Sequence, residues 1–209
     1  MNCLLFVYKC IRECSSAICS TFAHLVTAIE FHILKVGCPL FHTSGVPYVD
    51  VSYKRGGQIT IGRNFTMNNG MSDNQLGFGK TPCVLRASNG NITIGENVGI
   101  SQTALVAIDA DITIGDNTLL GGGVRIYTTD FHPVDYLQRR NNENSPGCTK
   151  SENVTIGNDC FIGAGATILK GVSIGDRTVV GAGSVVTKSL PPDCVAAGNP
   201  CKVVRLLNK

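Results

Sequence analysis

The fold is decided by residues 156–186, which read IGNDCF-IGAGAT-ILKGVS-IGDRTV-VGAGSV-V when they are divided into sixes. Every segment begins with Ile or Val, and the fifth position of each full segment is small or branched. An α-helix, with about 3.6 residues per turn, would rotate such a stripe out of register, so a helix is excluded. The pattern predicts short strands joined by tight corners, with each turn of chain stacked on the previous one and aliphatic side chains pointing inward.

The same unit recurs upstream at less regular intervals. The phrase Ile-Thr-Ile-Gly occupies residues 59–62, 92–95 and 112–115, and close variants stand at 154–157 and 172–175. The chain also contains 24 glycines, as expected where many corners need a positive φ. We therefore assign residues 58–209, including the C-terminal tail, to one repeat domain.

Composition excludes several classes of protein. Of the 209 residues, 43% are hydrophobic and only 16% are charged, which argues against a disordered chain. The net charge of +3, with no Lys/Arg cluster longer than a dipeptide, argues against a nucleic-acid partner. Ten cysteines occur without a repeated C-x-x-C spacing, and the N-terminus lacks the pattern of a signal peptide. We interpret the cysteines as reduced thiols of a cytoplasmic protein, most of them acting as small hydrophobes.

Residues 1–36 differ from the rest of the chain. Their apolar residues recur at the spacing of an amphipathic helix: Leu4, Tyr8, Ile11, Ile18, Phe22, Leu25, Ile29, Ile33 and Val36. We predict one or two helices that pack on the main domain or on a neighbouring subunit, with weak binding to a membrane surface as the alternative. The longest uncharged stretch, Cys14–Ile29, is shorter and more polar than a membrane span. A connector over residues 37–57 follows.

The repeat is interrupted once in its second half. Steps of six from Ile114 lead to Leu120, Ile126 and then His132, which takes the place of an inward aliphatic residue. The following residues, 133–153, are polar and aperiodic, so we predict a loop that protrudes from the coil. Such loops are usually functional, although a solvent-exposed decoration is the alternative. Of the four histidines in the chain, His132 alone falls within the repeat domain, and an imidazole exchanges protons near neutral pH.

These motifs resemble those of the hexapeptide-repeat acyltransferases. Residues 127–133, Tyr-Thr-Thr-Asp-Phe-His-Pro, resemble the catalytic stretch of the sugar O-acetyltransferase branch, which includes galactoside and maltose acetyltransferases. The resemblance implies an all-β fold, a left-handed parallel β-helix with three hexapeptides per coil, to which the N-terminal helical segment and the protruding loop are added.

The resemblance also implies roles for four residues near the interruption. His132 would be the general base that deprotonates an acceptor hydroxyl, which then attacks the thioester of acetyl-CoA directly, without an acyl-enzyme. Asp109 aligns with an acidic position that contacts the acceptor sugar. Ser101 stands where the family places an Asn, and its hydroxyl is the expected donor to the developing oxyanion. Asp130 either orients the His132 ring or the acceptor, or satisfies the backbone of a turn.

The C-terminal half resembles the family's acetyl-CoA site. Residues 161–166, 181–188 and 197–205 match its pattern of small residues, and the last two stretches also contain the cations Lys188, Lys202 and Arg205. Small residues let a backbone approach the pantetheine arm, and cations bind the phosphates. The residues implied to bind the donor are Ala164, Ala182, Thr187, Lys188, Lys202 and Arg205.

The implied enzyme is an acetyl-CoA-dependent O-acetyltransferase that modifies a sugar or a polysaccharide precursor. The resemblance further implies a cytoplasmic homotrimer with each active site between two subunits and with no metal requirement. Two alternatives stay open, namely N-acetylation of an amino sugar and a non-catalytic β-helix scaffold. A zinc site made of three histidines is disfavoured because His132 is the one histidine of the repeat domain.

Overall fold

The chain forms a left-handed parallel β-helix with the shape of a three-sided prism. The computed structural model describes residues 3–52, 54–69, 81–141 and 148–207, with the side chains of the first helix described from Ile18 onward. Each turn of the chain contributes one short strand to each of three sheets, A, B and C, in that order. All strand pairs are parallel except the last, β18 (Cys194–Gly198) with β19 (Cys201–Leu206).

The three sheets form the faces of the prism. Sheet A contains β3 (Gln58–Ile61), β6 (Asn91–Ile94), β9 (Ile112–Ile114), β12 (Val154–Ile156) and β15 (Ser173–Ile174). Sheet B contains β1 (Phe41–Thr43), β4 (Phe65–Asn68), β7 (Gly99–Ser101), β10 (Leu119–Leu120), β13 (Phe161–Ile162), β16 (Val179–Val180), β18 (Cys194–Gly198) and β19 (Cys201–Leu206). Sheet C contains β2 (Tyr48–Val51), β5 (Val84–Ser88), β8 (Ala104–Ile108), β11 (Arg125–Tyr127), β14 (Thr167–Ile168) and β17 (Val185–Val186).

The inward ladder predicted from the six-residue period is confirmed. Its six aliphatic positions are at most 1% exposed: Ile156, Ile162, Ile168, Ile174, Val180 and Val186. Ile156 pairs with Ile174, and Ile162 pairs with Val180, so one coil takes three hexapeptides. Each fully buried Ile or Val contributes about 1.5–3 kcal/mol of hydrophobic stabilisation, and this ladder is the core of the prism.

The corners show why glycine and asparagine are frequent. A Cβ atom on Gly163 would lie 2.5 Å from the backbone nitrogen of Ala182 on the next coil, so no side chain fits there. Asn64, Asn97 and Asn117 stack at one corner with φ between 56° and 58°, a left-handed conformation that Asn tolerates. Their side-chain amides donate in series along the axis, over 2.9 and 3.0 Å.

The predicted loop is confirmed as an excursion from the coil. The chain leaves sheet C after Tyr127 and rejoins sheet A at Val154. Within the excursion, helix α2 (Tyr136–Arg140) is capped by Asp135, whose carboxylate accepts from the backbone N–H groups of Leu137 and Gln138. Residues 142–147 of the loop lie outside the described part.

The N-terminal segment forms one helix, α1 (Cys3–Ile33), and one of its faces packs on the first coil. Ala23, Thr27 and Phe31 are buried there, and the Phe31 ring lies 5.1 Å from that of Phe41 in β1. Five apolar side chains on another face are 52–70% exposed: Ile18, Phe22, Leu25, Ile29 and Ile33. Among the described residues, no helix is long and apolar enough to cross a membrane.

The structure also places two strands in the stretch interpreted as a connector. β1 and β2 lie within residues 37–57 and pair with β4 and β5. The β-helix therefore starts before residue 58, and α1 covers its first coil.

We expect Phe31→Ala to destabilise the fold and Phe22→Ala to have little effect. Phe31 is 4% exposed within the main core, whereas Phe22 is 65% exposed. Burial of that kind predicts a loss of about 3–5 kcal/mol in the free energy of unfolding for Phe31→Ala, against about 0.5 kcal/mol or less for an exposed position. Denaturant unfolding of the two variants measures the difference, and an unchanged midpoint for Phe31→Ala would show that α1 does not stabilise the coil.

Candidate active site

His132 lies in a turn five residues after the end of β11, where the chain has left sheet C. The six-residue register holds as far as Ile126 but does not extend to His132, whose side chain is exposed instead of inward. That part of the sequence interpretation is wrong because the excursion begins before residue 132. The backbone N–H of His132 donates to the Asp130 carbonyl over 2.7 Å, and Pro133 behind it is buried.

Phe131 gives this turn an uncommon backbone conformation. Its φ is +63°, in the left-handed region that bulky residues rarely occupy, at a cost of about 1–3 kcal/mol. The Phe131 ring packs edge-on against Tyr127, with 5.3 Å between the ring centroids. The surrounding structure must therefore hold the turn in place, which is common at functional sites.

The Asp130 carboxylate points towards the body of the β-helix. Its Oδ1 accepts from Lys170 Nζ over 2.5 Å, and the two side chains are 30% and 22% exposed. Lys170 follows β14, the neighbour of β11 in sheet C. The sequence singled out Asp130 but missed Lys170, because no motif links positions on successive coils that are separated by a long excursion.

Eight of the ten predicted site residues lie at two edges of the prism, and the other two, Lys202 and Arg205, lie on β19. The first edge, which we call the His132 edge, joins sheets C and A and carries Asp109, Asp130, His132, Thr187 and Lys188. Asp109 occupies a corner with φ +54°, and its exposed carboxylate accepts from the Asn89 side-chain amide over 2.9 Å. Thr187 and Lys188 follow β17 and are exposed.

The second edge, which we call the Ser101 edge, joins sheets B and C and carries Ser101, Ala164 and Ala182. The N–H of Gly123 donates to the Ser101 carbonyl over 3.1 Å, and that of Gly183 donates to the Ala164 carbonyl over 2.8 Å, so these corners stack coil on coil. Sheet C therefore separates Ser101 from His132 within one chain.

Asn68 is a neighbour of Ser101 that the sequence did not indicate. The two residues pair in register on β4 and β7, and Asn68 Nδ2 donates to Ser101 Oγ over 3.1 Å. Because this bond occupies an acceptor site of the hydroxyl, the Ser101 O–H is still available to donate. Both residues line a groove of about 380 Å³ on the outer face of sheet B, together with Asn64, Thr66, Leu119 and Phe161.

The terminal hairpin is formed by β18 and β19, and a bulge in it places two predicted cations on one face. Lys202 pairs with Ala197, and Arg205 pairs with Val195, with a register shift between them at Val195/Ala196. In a regular strand, side chains three positions apart would point to opposite faces. The bulge brings Lys202 and Arg205 to the same side, as bulges near functional sites often do. Both side chains are exposed.

The described cysteines are free thiols, and Cys160 is buried in the coil. Its Sγ lies 3.2 Å from the Gly175 carbonyl, and burial raises the pKa of this thiol. Burial also raises the pKa of Cys83 to about 11. Within the described ranges, no group of three or more His, Cys, Asp or Glu residues could hold a metal ion.

We expect the buried thiols to resist alkylation at neutral pH. A pKa of about 11 instead of 9.0 lowers the thiolate fraction of Cys83 about 100-fold, and the thiolate is the reactive form. Peptide mapping after iodoacetamide treatment should show exposed Cys19 labelled well before Cys83 and Cys160, with faster labelling as the pH rises. Equal rates for the three thiols would contradict the burial argument.

Comparison with known proteins agrees with this architecture. Residues 153–188 match the family model described as the hexapeptide repeat of succinyl-transferase. Galactoside O-acetyltransferase from Escherichia coli strain K12 is 42% identical over 127 residues, which cover 61% of this chain and 60% of the relative. The alignments span 56–60% of the length of the curated relatives that the chain matches.

Solved structures extend the comparison over more of the chain. A galactoside acetyltransferase in complex with coenzyme A is 35% identical, with 83% of this chain and 64% of that chain covered and a TM-score of 0.50. A hexapeptide-repeat containing acetyltransferase from Vibrio cholerae is 31% identical, with 73% of each chain covered and a TM-score of 0.51. With its three-sided coil and its six-residue ladder, the chain therefore belongs to the hexapeptide-repeat acetyltransferase family and resembles its sugar O-acetyltransferase branch.

Proposed function

We propose that this protein transfers an acetyl group from acetyl-CoA to a hydroxyl of a sugar or polysaccharide precursor. The observation that carries the proposal is the division of the predicted residues between two edges, with the candidate base on one and the candidate oxyanion donor on the other. Support comes from the galactoside O-acetyltransferase relative and from the similar structure that contains coenzyme A.

His132 acts in this proposal as the general base. Its exposed imidazole accepts the proton of the acceptor hydroxyl, and the hydroxyl oxygen forms a bond to the thioester carbonyl carbon. Ser101 donates to the oxyanion that develops on this carbonyl. When the tetrahedral intermediate breaks down, the carbon–sulfur bond cleaves, and the thiolate takes the proton from His132.

The donor fits the outer face of the Ser101 edge and of the terminal hairpin. Ala164 and Ala182 leave backbone accessible on successive coils, where a long amide-containing arm needs close approach. Lys202 and Arg205 supply two aligned cations for its phosphates. Acetyl-CoA supplies the activated acetyl group, and Thr187 and Lys188 bind it from the His132 edge.

Because sheet C separates the two edges within one chain, the proposed active site is complete only between two protomers. In a trimer, the His132 edge of each subunit faces the Ser101 edge of the next. The outer face of sheet B also carries an apolar row that suits burial, formed by Leu119, Phe161, Val179 and Val195 in register.

We expect a trimeric mass in solution and complementation between inactive subunits. A His132→Ala protomer retains an intact Ser101 edge and hairpin, and an Arg205→Ala protomer retains an intact His132 edge. Trimers reassembled from the two variants should therefore recover activity at the mixed junctions, whereas each variant alone stays impaired. A fully active monomer in light scattering, or mixed trimers no more active than their parents, would contradict a shared site.

The activity itself is tested with acetyl-CoA and a panel of simple sugars, nucleotide sugars and amino sugars, following release of the free thiol. The expected result is acceptor-dependent thiol release and a product whose acetyl group is removed by mild base, as an ester is. A base-stable product on an amino sugar would indicate N-acetylation. Absence of turnover with every acceptor would favour a non-catalytic scaffold.

A further inference from the structure

We propose that Lys170 is a positioning residue for His132. Its ammonium group holds the Asp130 carboxylate and thereby fixes the turn that presents the candidate base. The inference rests on the proposed function, because it assigns Lys170 a part in the placement of the imidazole that accepts the acceptor's proton.

The turn needs an anchor to the body of the β-helix. Thr128, at the start of the excursion, is bonded to β8 in sheet C, since its N–H donates to the Val106 carbonyl over 3.2 Å and its Oγ1 accepts from the Ile108 N–H over 2.8 Å. Beyond Thr128, the Asp130 N–H donates to the Lys150 carbonyl over 3.3 Å, and this partner belongs to the returning arm of the same excursion. Lys170, in contrast, follows β14 on the next coil of the rigid prism. Its bond to Asp130 therefore connects the excursion to an element that the core holds in place.

The path from Lys170 to His132 is short and consists of observed contacts. Lys170 Nζ donates to Asp130 Oδ1, and the Asp130 carbonyl accepts the His132 N–H over 2.7 Å. Phe131, between these two residues, keeps its left-handed φ of +63° only while the surrounding structure holds it. Loss of the anchor allows this residue to relax to a common conformation, and such a change swings His132 away from its position.

Burial distinguishes this ion pair from a second pair on the same excursion. The side chains of Lys170 and Asp130 are 22% and 30% exposed, whereas those of Lys150 and Glu152 are 78% and 48% exposed at 3.3 Å. Exposed pairs are weakened by solvent and contribute little to holding a geometry, whereas a partly buried pair is screened less. Lys150 is therefore a matched control on the same loop.

The experiment compares Lys170→Met, Asp130→Asn, their double variant, Lys170→Arg and Lys150→Met in the full-length protein. A displacement of about 1 Å at a reacting group costs about 100-fold in rate. We therefore expect Lys170→Met to lower kcat about 10- to 100-fold, with the KM for acetyl-CoA changed less than about twofold. Lys170→Arg keeps the charge and should recover most of the loss, and Lys150→Met should match the wild type.

The double variant tests whether the two residues act as one unit. Because Asp130→Asn and Lys170→Met remove the same contact, the double variant should be no slower than the slower single variant, whereas independent residues would multiply their effects. Thermal unfolding and light scattering report whether each variant keeps its fold and its oligomeric state.

The proposal is overturned if folded Lys170→Met matches the wild type, if Lys150→Met loses as much activity, or if the two single effects multiply. These outcomes are distinct from failure of the proposed function. That failure would appear as a wild-type protein without acetyl transfer, or as an active His132→Ala variant, before Lys170 is tested.

Discussion

His132→Ala is expected to lower kcat by about 10²–10⁴-fold, the usual contribution of a positioned general base, which corresponds to roughly 3–5 kcal/mol of barrier. The other histidines of the chain are His24, His32 and His42, all within the N-terminal 42 residues, so the coils from β3 onward contain no second imidazole. Binding of acetyl-CoA and the oligomeric mass should persist, because the proposed donor contacts lie on the Ser101 edge, on the terminal hairpin and after β17.

The pH profile gives this prediction a second readout. The wild-type kcat/KM should rise with pH through an inflection, because only the neutral form of an imidazole accepts a proton. The His132→Ala variant should lose this inflection, and added imidazole should restore part of its rate. His42→Ala, an exposed histidine on β1, is the matched control and should keep both the rate and the profile. Turnover of His132→Ala within a few-fold of the wild type would refute the mechanism.

The inward ladder was predictable because each of its contacts repeats with a fixed local spacing. Every strand needs one branched aliphatic residue and every corner needs a compact one, so the period alone gives the coil and its core. The excursion was predictable for the complementary reason, since the period stops there. β1 and β2 lack the Ile-Thr-Ile-Gly phrase, and their place in the sheets depends on pairing with later coils, which no local pattern shows.

Contacts on the outer face of the prism were not predictable in the same way. Successive strands of sheet C are separated by different lengths of chain, so Arg125 pairs with Ala104 on one side and with Thr167 across the whole excursion on the other. The ion pair of Asp130 with Lys170 depends on this register of sheet C, and the bond of Asn68 to Ser101 depends on the register of β4 with β7 in sheet B. The six-residue period, extended beyond Ile126, predicted an inward position for His132, whereas the structure exposes its side chain.

The bulge in the terminal hairpin could also not be predicted from the sequence. Lys202 and Arg205 are three residues apart, and an uninterrupted strand would turn them to opposite faces. The extra residue in β19 brings the two side chains to the same face. This placement is consistent with the proposal that both bind the phosphates of one donor molecule.

The double variant Lys188→Ala/Arg205→Ala should show the second largest effect, a rise in the KM for acetyl-CoA. A charge-assisted bond to a phosphate is worth about 1.5–3 kcal/mol, so each substitution should raise KM about 10- to 100-fold and the pair should raise it further. The kcat should change less, because the proposed function assigns both cations to the phosphates of the donor and not to its reacting carbonyl. Saturation curves for acetyl-CoA at a fixed acceptor concentration measure both constants.

Two controls test whether a rise in the KM for acetyl-CoA reflects lost phosphate contacts or only the loss of positive charge. They are a matched variant and added salt. Lys54→Ala/Arg55→Ala removes two exposed cations at the opposite end of the prism and should leave the KM unchanged. Added salt screens exposed charges, so it should raise the wild-type KM more than that of Lys188→Ala/Arg205→Ala, which has already lost the contacts. Lys188 lies on the His132 edge, and Arg205 lies on the terminal hairpin. If both residues bind the same acetyl-CoA molecule, that molecule must lie between two subunits. If saturation by acetyl-CoA is the same in the double variant as in the wild type, the donor binds elsewhere and the pairing of the two edges is wrong.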